Sequence, residues 1–258
     1  MLVLCLAIWG CAPALRAPEA LPELPTASTD DAAALAERAE ALFAMRTTGA
    51  VREAAGLWLE AAAADARGTE GFIGAVRARA WLADHEQNAE ARRTAARAAV
   101  DAGQRCEQRD PTAPECAYWL AIALGVQARE SRTTARDGLD HMIERLRSAI
   151  ERAPSLDHGG PHRVLALLYL RAPGWPTGPG DPDLGLEEAQ QAVDLAPDYP
   201  PNQLCLAEAL TATEDPSGSR RALERAADLA RPLAGQGSPE AREWLEQANR
   251  GLAGGRPR

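Results

Sequence analysis

The chain has 258 residues, a net charge of −9 and a pI near 5.1, with 46% hydrophobic and 25% charged residues. All 28 basic residues are arginine, which excludes a Schiff-base lysine, a phosphate-loop lysine and a kinase-type lysine, and the acidic balance argues against nucleic acid as a partner. Aromatics are only 4%, so Ala and Leu must do most of the packing, and the four histidines (His85, His141, His158, His162) offer little for metal or acid–base chemistry.

In chain order, Leu2 to Gly10 is an apolar run that ends at Cys11. It is too short for a membrane-spanning helix, which needs about 20 apolar residues, but it has the length of a signal-peptide hydrophobic region. Gly10-Cys11, with Ile8 at the −3 position, resembles a bacterial lipobox. Residues 1–11 are therefore read as a signal peptide whose cysteine is lipidated and becomes the first mature residue. An ordinary cleaved signal with an incidental cysteine is the alternative. Ala12 rather than an aspartate follows the cysteine, which by the usual sorting rule points to the outer membrane. Pro13, Pro18, Pro22 and Pro25 prevent a continuous helix, so residues 12–29 read as a tether.

From Asp30 onward apolar residues recur every three or four positions, as in Leu35, Ala39, Leu42 and Phe43, and no period-2 strand is found. Eleven helices are predicted: 30–46, 51–66, 70–84, 88–108, 113–129, 133–153, 160–171, 182–195, 200–213, 217–231 and 239–252. Residues 253–258 read as a disordered tail.

A short phrase returns through these helices. It reads Arg-Ala-Ala-Val-Asp-Ala (97–102), Arg-Ser-Ala-Ile-Glu-Arg-Ala-Pro (147–154), Gln-Gln-Ala-Val-Asp-Leu-Ala-Pro (190–197) and Glu-Arg-Ala-Ala-Asp-Leu-Ala (224–230), with a weaker copy at 62–66. Aligned on the alanine two residues before the acid (Ala63, Ala99, Ala149, Ala192, Ala226), the gaps are 36, 50, 43 and 34. A tetratricopeptide (TPR) repeat has a period of 34, and its second helix ends in a phrase of this kind. The fold class expected is all-α, a superhelix of TPR-like hairpins over residues 30–252. The 43-residue gap is nine over the period, which places an insertion at Ala172 to Gly180, Ala-Pro-Gly-Trp-Pro-Thr-Gly-Pro-Gly.

That loop is the most specific feature. Pro173, Gly174, Pro176 and their neighbours fix an unusual path around Trp175, between Arg171 and Asp181. Either Trp175 forms an exposed binding lip, or it folds back to plug the superhelix; the second reading is preferred, because large aromatics are usually buried. Asp181 is expected to cap the next helix, leaving Glu187 and Glu188 on its exposed face. Gly159 and Gly160, followed by Pro161, begin a helix, either as an anion-accepting N-terminus or, the simpler reading, as a tight turn. Trp58, Trp81, Trp119 and Tyr169 fall on apolar helix faces, core by default, with one or two available to a ligand on a concave wall. Cys106 and Cys116 flank the Asp110-Pro111 turn; the sequence leaves open whether they form a disulfide or remain two thiols. His158 and His162 are separated by Gly-Gly-Pro and do not read as a metal pair. No metal or cofactor site, nucleophile elbow or His-Glu-x-x-His motif is present, so no catalysis is expected.

His158-Gly159-Gly160-Pro161-His162-Arg163, the run Leu-Ala-Leu-Leu-Tyr-Leu-Arg-Ala-Pro-Gly-Trp-Pro (165–176) and Gly180-Asp181 resemble the signature of the TRAP-transporter-associated TPR lipoproteins, TatT type. So do Leu-Ala-Pro-Asp-Tyr-Pro-Pro-Asn (195–202), Leu-Ala-Glu-Ala (206–209) and Tyr118-Trp119-Leu120-Ala121 with Leu124-Gly125. The resemblance implies a lipid-anchored periplasmic protein that docks the solute-binding protein of a tripartite ATP-independent periplasmic (TRAP) transporter. Ligand transfer through a cleft or pore is also implied; the residues themselves suit a hydrophobic ligand on a concave wall or a carboxylate at the helix beginning at Gly160, with membrane contact through the anchor, which the sorting rule places in the inner leaflet of the outer membrane. A TPR lipoprotein scaffold for another envelope assembly is the alternative, and a homo-oligomer is left open.

Overall fold

The structure is a computed structural model that describes residues 13–18, 29–131 and 133–254; Cys11 and most of the segment read as tether lie outside the described residues. Eleven helices follow one another: α1 (Thr29–Ala44), α2 (Thr48–Ala64), α3 (Glu70–His85), α4 (Ala89–Arg109), α5 (Pro114–Glu130), α6 (Ala135–Arg152), α7 (Gly160–Arg171), α8 (Pro182–Leu195), α9 (Pro200–Ala212), α10 (Pro216–Gly235) and α11 (Pro239–Leu252). Their limits are written locally. Side chains of Thr47, Asn88, Asp181, Asp215 and Ser238 accept from backbone N–H groups of the first turn of the helices that follow them. Proline stands in the first turn of α5, α7, α8, α9, α10 and α11, where its missing donor leaves nothing unpaired. Most ends fall within one to three residues of expectation; the largest difference is at α10, which continues through Pro232 to Gly235. This last stretch is largely exposed, so water can meet the carbonyl that proline leaves without a donor.

Each helix packs on the next, so the chain is the expected solenoid of helical hairpins. The odd-numbered helices also pack on one another, α1 on α3, α3 on α5, α5 on α7, α7 on α9 and α9 on α11, whereas among the described residues the even-numbered ones stand apart. The closer row is the inner side of the curve. The recurring phrase falls on α2, α4, α6, α8 and α10, the outer row. Its alanines Ala99, Ala149, Ala192 and Ala226 are fully buried, because a methyl group there lets the adjoining helices approach. In the weaker copy the buried position slips by one, to Ala62, and Ala63 is only partly covered.

The main core runs along the inside from Phe43 and Trp58 through Val76, Leu120, Leu124 and Leu146 to Leu165 and Tyr169. Cys106 at the end of α4 and Cys116 at the start of α5 are bonded, with their Cα atoms 5.2 Å apart. Closing a loop of this length stabilises by about 2–3 kcal/mol through the entropy of the unfolded chain. Residues 13–18, inside the expected tether, do not trail free of the domain: Ala14 is buried and its N–H donates to Asp137 Oδ2 at 2.7 Å.

Candidate functional site

Two constellations gather the residues singled out in the sequence. The first is the loop between α7 and α8, which holds Arg171, Pro173, Gly174, Trp175, Pro176 and Asp181. Asp181 N–H donates to Tyr169 O at 2.9 Å, Gly180 N–H to Pro173 O at 2.8 Å, Thr177 N–H to Gly174 O at 3.0 Å and Gly178 N–H to Gly174 O at 3.2 Å. Arg171 at its entry grips Glu208 of α9 with two bonds, at 2.8 and 2.7 Å, which raise the guanidinium pKa further. Asp181 at its exit caps α8, accepting from Asp183 N–H and Leu184 N–H at 3.0 and 3.1 Å. The loop is thus tied at both ends and across its neck.

At its tip Trp175 is 90% exposed. This corrects the preferred reading, in which the indole folded back into the superhelix. The inner wall at this point is already filled by Leu165, Leu168 and Tyr169, and the hydrogen bonds across the neck turn the tip outward. Glu188, expected on the exposed face of α8, instead meets His162 Nδ1 at 2.6 Å and is partly covered.

The second constellation is the turn from α6 into α7. Asp157, His158 and Gly159 all take left-handed backbone, with φ of 47°, 57° and 78°. Three such residues in succession reverse the chain tightly, at a cost that side-chain bonds must offset. The Asp157 carboxylate accepts from Tyr118 Oη at 2.6 Å and from the Arg163 guanidinium at 2.7 Å. Arg163 also donates to Asn202 Oδ1 at 2.8 Å and lies over the Tyr199 ring, which in turn stacks on His158. Asn202, fully buried, donates to the carbonyls of His158, Ala192 and Ala196. Three helices, α5, α7 and α9, and the α6–α7 turn therefore meet at a single buried arginine.

This closes the question of an anion site at Gly159 and Gly160. Both are buried, and a Cβ on Gly160 would fall 2.5 Å from Tyr118 Oη, so the start of α7 is filled by the protein's own polar groups. Tyr169 belongs to the core, its hydroxyl accepting from Arg147 at 3.3 Å, and Trp119 is half-buried with an edge contact to Tyr118. No group of three or more His, Cys, Asp or Glu suited to a metal occurs among the described residues. The network was missed in the sequence, although one signal pointed to it: Arg163 stands at the head of the apolar run Val164–Leu170 of α7, where it is buried.

Burial pushes the Tyr118 phenol well above its usual range, and raises the Cys205 thiol from an ordinary 9.0 to about 12, with Glu208 adding to the effect. Burial also works to lower the Arg163 pKa, but Tyr118 and Asp157 hold it above its ordinary value. Groups whose pKa is raised on folding bind protons more tightly in the native state. Their contribution is complete below the unfolded values and is lost as pH rises through the folded ones. Stability is therefore expected to fall from about pH 9 toward pH 12, by up to about 1.4 kcal/mol per pH unit for each such group. In chemical denaturation across this window, Cys205→Ala should flatten the slope; an unchanged slope would show that the thiol takes no part.

With this geometry in view, the likeness to known proteins is one of fold. No protein-family model and no curated protein matches the chain. TTC0263, a thermophilic TPR protein of Thermus thermophilus, superposes with a TM-score of 0.59 at 18% identity, over 84% of this chain and 98% of that one. MamA 41-end from Desulfovibrio magneticus RS-1 superposes with a TM-score of 0.51 at 18% identity, over 79% and 97%. The chain has the TPR helical-repeat fold.

Proposed function

We propose that this chain is a lipid-anchored periplasmic protein that docks the solute-binding protein of a TRAP transporter, and that the 172–181 loop is the docking element. In this reading it binds and performs no chemistry. One observation carries it: an indole that is 90% exposed at the tip of a loop whose backbone is already tied down. A free tryptophan of this size is the commonest centre of a protein–protein contact. Because the loop is ordered in advance, docking gives up little further conformational entropy. The resemblance of residues 157–209 to the TRAP-associated lipoproteins, and the lipobox-like Cys11 at the inner leaflet of the outer membrane, supply the partner and the compartment.

The test is photo-crosslinking in intact cells with a benzoylphenylalanine at position 175. A solute-binding receptor is the expected product. A different envelope protein at that position would replace the transporter reading with a scaffold for another assembly. In parallel, Cys11→Ser should abolish fatty-acid labelling and move the chain to the soluble fraction; persistent labelling would refute the anchor.

A further inference from the structure

Among the described residues the even-numbered helices stand apart, so a furrow runs between each pair on the outer side of the solenoid. The furrow between α4 and α6, floored by α5, is occupied by residues 13–18 of the chain itself. Ala14 is 3% exposed and joins the main core, with Leu15 packed beside it. The Ala14 methyl rests against Gly138 of α6, where a Cβ would lie 3.4 Å from it, and the Ala14 N–H is bonded to Asp137 one residue earlier. Gly138 and Asp137 thus form a small seat: a glycine that admits a methyl group, and a carboxylate that fixes the passing backbone.

The furrow is larger than its occupant. Beside the strap lie two hollows of about 450 and 500 Å³, one lined by Gln127 and Thr134 with Pro13 and Ala17, the other by Gln104 and Ser148 with Leu15. Gln127 is buried, and the Oε1 atoms of Gln127 and Gln104 have no hydrogen-bond partner among the described residues. Buried amide oxygens without donors are rare in native interiors.

We infer that the α4–α6 furrow is a docking groove for an extended chain, and that its resident ligand is residues 13–18 of the same molecule. One consequence rests on the anchor proposed above. Cys11 precedes Pro13 by two residues, a reach of at most about 7 Å. A lipid on Cys11 would then leave the domain beside the α4–α6 furrow, so that the outer side faces the bilayer and the inner wall faces away from it.

The test uses the full chain carrying Ala14→Cys and Gly138→Cys. The spacing of these positions suits a disulfide, so air oxidation should join them within one molecule, as mapped by mass spectrometry of the digested protein. A second measurement avoids altering the groove glycine. The Ala14 amide should exchange at least tenfold more slowly than a free amide in the unmodified chain, and lose that protection in Asp137→Ala. An unprotected Ala14 amide together with no 14–138 bond would overturn the inference. A bond formed only between two molecules would overturn the assignment of the occupant to the same chain. Repeating the oxidation in the Cys11→Ser background separates the two proposals. An intact 14–138 bond on a chain that does not carry lipid supports the groove and removes only its consequence for orientation.

Discussion

Replacing Arg163 by methionine is expected to lower stability by about 2–4 kcal/mol, read from urea unfolding midpoints at neutral pH. Methionine fills much of the same volume, so the loss is not mainly one of packing. What remains is a fully buried Asn202 whose Oδ1 has lost its donor at 2.8 Å, and an Asp157 carboxylate left with Tyr118 alone. The cost rests mainly on the buried Asn202 Oδ1 left without a donor, because the Asp157 side chain is a third exposed and water meets part of its charge. The left-handed residues Asp157 and His158 sit on the same turn, so their backbone strain loses its restraint too. Tyr118→Phe removes the bond at 2.6 Å to Asp157 and the longer one from Arg163 at 3.5 Å, and should lose about 1.5–3 kcal/mol. Combining Arg163→Met with Asp157→Asn should recover part of the loss, because the uncompensated charge is gone. A loss below about 1 kcal/mol for Arg163→Met would show that the network is not what holds α6 to α7.

The second large effect concerns binding rather than folding. Trp175→Ala should leave the unfolding midpoint within about 0.5 kcal/mol of the unmodified chain, because an indole that is 90% exposed contributes little to the core. Affinity for the partner proposed above should nevertheless fall about 30-fold or more, the range of a central aromatic contact at about 2 kcal/mol. Trp175→Tyr should retain part of it. Arg171→Ala acts differently: it releases the paired bonds to Glu208 and should weaken binding by loosening the loop, with Trp175 still in place. Titration of the partner by calorimetry distinguishes these cases. Unchanged affinity in Trp175→Ala would move the docking surface elsewhere.

Much of the architecture was legible before any coordinates. The helices lie where the three- and four-residue spacing and the prolines put them, because capping and helix periodicity act within a few residues. The buried alanines of α4, α6, α8 and α10 were found from a repeated phrase, since every hairpin solves the same packing problem. The insertion at 172–180 followed from arithmetic on that phrase. The function of the loop was less accessible. A tryptophan between prolines and glycines reads as a plug or as a lip, and the general habit of aromatics favours the plug.

The sequence by itself determined the eleven helices, their order as hairpins and the place of the one long loop, because each depends on neighbours along the chain. Only the tertiary structure decided that Trp175 points outward, that Arg163 gathers residues from 118 to 202, and that residues 13–18 lie in the α4–α6 furrow. These outcomes turn on which groups distant in sequence come within a few ångströms, where volume already filled and hydrogen bonds already made leave a side chain one direction to take.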